Sequence, residues 1–136
     1  MRALLLGLVL LVGGCASGEA AGSTLRVLVM DGNLRQLGEP CNGAGPFQYA
    51  HADAGYVIED RAGAEVFKGA LPNGTAEKIM NVDFRKGMRQ PTMCTMTLHV
   101  NGLTRPEGLE LVIGDQAGVP IEPSEKPGVM GEVRVA

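Results

Sequence analysis

The sequence predicts an all-β domain, a small antiparallel β-sandwich of seven or eight strands, immunoglobulin-like or transthyretin-like in strand order. A small β-barrel is the runner-up. Three observations lead there. Valine, threonine and isoleucine fall in short runs, and no long amphipathic helix period appears. Twenty glycines and eight prolines among 136 residues supply frequent turns. Residues 92–100 alternate with period two, as a half-buried strand must when successive side chains point to opposite faces.

The elements follow in order. Residues 24–31 (TLRVLVMD) read as the first strand, and Gly32-Asn33 as a turn. Residues 34–40 hold a short extended piece, and 41–46 (CNGAGP) a glycine-rich turn. Segments 55–60 and 64–69 form a hairpin about Asp60-Arg61-Ala62-Gly63. Leu71-Pro72-Asn73-Gly74 turns again, and 76–84 is expected to be a strand through Ile79, Val82 and Phe84. A polar loop, 85–91, leads into the 92–100 strand. There Cys94, Met96, Leu98 and Val100 share the more apolar face, so that face is expected in the core. After Asn101-Gly102 come a pair at 109–114 and 119–121, a proline-rich connector at 122–128 and a terminal strand at 129–135. Tryptophan is absent and aromatics make up 4%. The expected core is therefore aliphatic, with Phe47, Phe67, Phe84, Tyr49 and Tyr56 as its few large rings.

Ahead of this domain stands MRALLLGLVLLVGGCASGEA. Arg2 is a positive start, and 3–12 is an apolar run too short to span a bilayer, which takes about 20 residues. It suits the apolar region of an export signal. The run ends in Leu11-Val12-Gly13-Gly14-Cys15, which resembles the lipobox of bacterial lipoproteins. A thiolate that attacks a lipid donor at the membrane surface needs small flanks, and the glycines provide them. The resemblance implies cleavage before Cys15, acylation of Cys15, and a place on the extracytoplasmic face of the cell envelope. Ala16 follows the cysteine rather than aspartate, so nothing demands retention in an inner membrane. The expected organisation is a signal peptide at 1–14, a lipidated cysteine and flexible tether at 15–23, and the β domain at 24–136.

Three cysteines are present. With Cys15 lipidated, Cys41 and Cys94 remain as an even pair in an oxidising compartment, and a disulfide between them is expected. A metal site or a reactive thiol are the alternatives, though the sequence has no CxxC spacing. Net charge is −3, and 11 basic residues face 15 acidic ones once Arg2 is removed. No basic stripe or Lys/Arg cluster stands out, which argues against nucleic acid, whose binding rests on phosphate neutralisation.

Cys41-Asn42-Gly43-Ala44-Gly45-Pro46, the strand and turn at 57–63, Gly69-Ala70-Leu71 and Cys94 on a later strand resemble a group of uncharacterised bacterial exported lipoproteins. These share a CxGxG start, a V-x-D-x-x-G hairpin and a G-x-L turn. Pro46 departs from the pattern, which often has an aromatic residue there. The resemblance implies a compact β domain and no established activity.

Few constellations could carry chemistry. His51 and His99 are the only imidazoles, and neither neighbours a serine in a GxSxG-type turn. Glu59 and Asp60 are adjacent, so on a strand they face opposite ways. His51 and Asp53 would share a face of a strand and, with His99 as third ligand, could hold a divalent metal. Met80, Met88, Met93 and Met96 fall close together with His99, and thioethers suit Cu(I). The alternative explanation is methionine as gap-filler in a core short of aromatics. The expectation is a non-catalytic domain that binds an envelope protein or glycan. A copper-binding lipoprotein using His51, Asp53, His99 and Met93 is the second possibility.

Overall fold

The computed structural model describes residues 24–136, so the leader at 1–14 and Cys15 with its tether lie outside the described residues. Eleven strands follow one another. They are β1 (Thr24–Val29), β2 (Leu34–Arg35), β3 (Pro40–Cys41), β4 (Gly55–Glu59), β5 (Glu65–Ala70), β6 (Gly74–Lys78), β7 (Gln90–His99), β8 (Glu110–Ile113), β9 (Val119–Pro120), β10 (Glu122–Pro123) and β11 (Val129–Val135). Seven have four or more residues, and these make the sandwich the sequence predicts; the other four are two-residue pieces.

One sheet runs β10-β11-β1-β7-β6-β3, with β2 joining β7, and the other runs β5-β4-β8-β9. Their facing sides bury a single aliphatic core: Leu25, Val27 and Val29 from β1, Met96 and Leu98 from β7 and Val133 from β11 meet Tyr56, Ile58, Leu111 and Ile113. The expected inner face of β7 is the observed one, since Cys94, Met96, Leu98 and Val100 are all buried. The sheets join along one side. Val119–Pro120 pairs with β8 of the small sheet and Glu122–Pro123 with β11 of the large one, and the buried Ile121 between them carries the chain across.

One ladder departs from an antiparallel sandwich. β1 and β11 run parallel, with Thr24 beside Val129 and Val29 beside Val135. The crossing at Ile121 turns the chain back through β10, so that β11 comes alongside β1 in the same direction.

Two further expectations change. The first strand stops at Val29, not residue 31. The strand expected over 76–84 is β6, which begins at Gly74 and ends at Lys78. Lys78 pairs with Thr92, and β3 reaches only Pro40 and Cys41, so residues 79–84 have no neighbour on either side. Phe84, expected in the core, is consequently 37% exposed.

Cys41 and Cys94 form a disulfide. Both lie in the large sheet, so the bond does not join the two sheets. It passes from β3 to β7 over the intervening β6, at Gly74. A Cβ at Gly74 would stand 2.3 Å from the Cys94 sulfur and 3.1 Å from that of Cys41, so only glycine fits beneath the bridge.

Beside it lies a buried ion pair. The Arg35 guanidinium donates to both carboxylate oxygens of Asp31, at 2.9 and 2.6 Å, to Thr92 Oγ1 at 3.1 Å and to the Asn42 carbonyl at 2.9 Å. The backbone N–H groups of Asn33 and Ala44 also donate to Asp31. The cluster holds the 31–35 turn, the glycine-rich turn after Cys41 and the start of β7 together.

Candidate functional site

Among the described residues seven large hydrophobic side chains are exposed, and six of them lie at one end of the sandwich: Leu34, Leu37, Met80, Val82, Phe84 and Met88. Val66 on β5 is the seventh. The six sit on two segments, 34–37 and the β6–β7 connection at 79–89. The segments touch because β2 pairs Leu34 with Pro91. They are also bonded to each other: Gln36 Nε2 donates to the Gly87 carbonyl at 3.0 Å, and an Arg89 guanidinium nitrogen donates to the Leu34 carbonyl at 2.6 Å. Between them is a groove of about 360 Å³ lined by Leu37, Phe84 and Met88 with Lys78, Arg85 and Lys86.

The charge here is opposite to that of the chain. Residues 78–89 hold four cations and one carboxylate, and the other residues hold eight cations and fourteen carboxylates. Lys78 pairs with Asp83, and that partner holds the Asp83 carboxyl below the usual aspartate range. Among the described residues no carboxylate stands within ion-pair distance of Arg85, Lys86 or Arg89. Arg85, Lys86 and Arg89 are close in the sequence, and the loop sets Arg85 and Lys86 beside the groove.

A second concavity, of about 390 Å³, lies at the β4–β5 turn among Glu59, Asp60, Arg61, Glu110 and Ile121. One of its acids has a structural role. Asp60 Oδ1 accepts from the backbone N–H groups of Ala62 and Ala64, at 2.9 and 3.0 Å, and so shapes the turn. Glu59 faces Glu110 on β8 and Glu65 on β5.

The residues considered as metal ligands do not converge. His51 and Asp53 are exposed on the turn before β4, not on a strand, and Asp53 has a positive φ of 68°. His51 Nδ1 lies 2.7 Å from the Ala52 carbonyl oxygen. His99 is exposed at the far end of β7. Met93 is six residues earlier on β7, so about 20 Å separates the two backbones. That is beyond what one copper ion could bridge. Met96 is buried in the core, whereas Met80 and Met88 are on the exposed loop. Among the described residues no group of three or more His, Cys, Asp or Glu could hold a metal ion.

Comparison with protein-family models, with curated proteins and with solved structures returned no match.

Proposed function

We propose that the protein is a non-catalytic binding domain, carried on the bacterial cell envelope by a lipid on Cys15, and that it binds an envelope component through the exposed apolar end of the sandwich. The observation that carries this reading is the gathering of six exposed hydrophobic side chains in two hydrogen-bonded segments. Exposed apolar side chains grouped on adjoining segments, three of them lining one groove, support an interaction site. The anchor rests on Leu11-Val12-Gly13-Gly14-Cys15 at the end of a short apolar run.

Two measurements test the reading. Wild-type protein takes up labelled palmitate and fractionates with membranes, and Cys15→Ser abolishes both. A photo-crosslinking residue at Val82 gives a discrete adduct in intact cells, and the same residue at Val66 does not. Membrane retention of Cys15→Ser refutes the anchor. Identical adduct patterns from the two positions refute the binding surface.

A further inference from the structure

The geometry points to the kind of partner this end accepts: we infer that the groove between 34–37 and 79–89 docks an acidic protein segment carrying an apolar side chain. The inference rests on the reading of this end as the binding surface and adds the chemistry of what binds.

Leu37, Phe84 and Met88 line the groove together with Lys78, Arg85 and Lys86. Lys78 is engaged by Asp83. Arg85 and Lys86 have no carboxylate within ion-pair distance among the described residues, on a chain that elsewhere carries an excess of acid. Their field therefore attracts negative charge to this end, while the rest of the molecule repels it. An apolar anchor seated in a pocket with complementary charge around it is the usual build of a peptide-docking site.

Two features favour a protein segment over a lipid surface. The site is concave, and the Gln36–Gly87 and Arg89–Leu34 bonds hold its two walls together. A bilayer takes up protruding apolar side chains and has no use for a groove. The second feature is direction. Thr24, where the described chain begins, lies beside His99 at one end of β7, and the β6–β7 loop enters β7 at Gln90. Nine residues of strand separate the two, about 30 Å. The groove thus lies at the end of the sheet opposite the point where the described chain begins.

The test uses the purified full chain, in phosphatidylcholine nanodiscs if fractionation finds it lipidated and in buffer if not. A failure of the anchor therefore leaves this experiment intact. The probes are a short labelled peptide with leucine and phenylalanine set among glutamates, its counterpart with lysine for glutamate, and phosphatidylglycerol vesicles. The acidic peptide binds, weakens with added salt, and loses about tenfold in affinity on Arg85→Glu with Lys86→Glu and about tenfold on Phe84→Ser. Val66→Ser leaves its affinity unchanged. All these side chains are exposed, so the core is untouched. The inference is overturned if the lysine peptide binds equally well, if neither peptide binds, or if only the vesicles bind, which would assign the surface to lipid.

Discussion

Removal of the Arg35 guanidinium should destabilise the domain more than its position two residues past a turn suggests. Arg35 is 4% exposed, and the Asp31 side chain has no exposed surface. Arg35→Ala deletes four hydrogen bonds and leaves a buried carboxylate with two backbone N–H donors. Breaking a buried pair from one side costs about 3–5 kcal/mol, a large part of the roughly 5–15 kcal/mol that holds a small domain folded. With a urea slope of roughly 1–2 kcal/mol per molar, the midpoint should fall by about 2 M or more. Far-UV circular dichroism reads the transition, since the chain has no tryptophan.

The loss should also depend on pH. Burial pushes the Asp31 carboxyl up, but the Arg35 hydrogen bonds, the N–H groups of Asn33 and Ala44 and the Arg35 charge outweigh it, so its pKa lies below the ordinary value. A lowered folded pKa contributes stability that is fully present above the unfolded value, about 4, and is lost as pH falls through the folded value. The gap between wild type and Arg35→Ala should therefore be widest near neutral pH and narrow in acid. The double substitution Asp31→Leu with Arg35→Met should recover most of the loss, because it leaves no charge buried alone. A loss below about 1 kcal/mol, or one unchanged between neutral pH and pH 3, would refute the assignment of this pair as a buried, mutually dependent unit.

Other outcomes follow from the same geometry. Gly74→Val should prevent the Cys41–Cys94 bond from closing, read as two free thiols by mass after alkylation; a closed bond in that variant would show that β6 can move aside. Cys41→Ala with Cys94→Ala should cost roughly 4 kcal/mol in equilibrium unfolding, the loop-closure entropy for a separation of 53 residues, and no loss would mean the unfolded chain is already constrained there. Glu59→Thr should raise stability by about 0.5 kcal/mol in low salt and by less in high salt, because it removes like charge from between Glu65 and Glu110 and adds a β-branched residue. An equal gain at both ionic strengths would assign the effect to β-propensity alone.

Strands with a buried and a wet face were legible in the sequence. The alternation read at 92–100 matches the burial of the β7 face that carries Cys94, Met96 and Leu98, the β4–β5 hairpin, β8 and β11 stand where strands were expected, and the cysteine count anticipated the bridge. Alternation says nothing, however, about whether a partner strand exists. Ile79, Val82 and Phe84 suggest a strand over 76–84, yet residues 79–84 pair with none, so Phe84, which reads in one dimension as core, belongs to the exposed loop. Arg35 is the converse case. Leu34 beside it is 54% exposed while the arginine is buried. Only the meeting of Asp31, Asn42 and Thr92, brought together by tertiary structure, explains that inversion. The gathering of Arg85, Lys86 and Arg89 with Leu37 depends in the same way on contacts about fifty residues apart.

The parallel ladder between β1 and β11 sets the order in which the protein can come into being. It joins the first described strand to the last, about a hundred positions away, and contacts so remote in sequence form slowly because a long loop must close before they are rewarded. A chain made or threaded N-terminus first can pair β1 with β7, but the other edge of β1 has no partner until residues 129–135 arrive. During that interval the edge of β1 is an unfilled strand position, open to any extended segment that reaches it first.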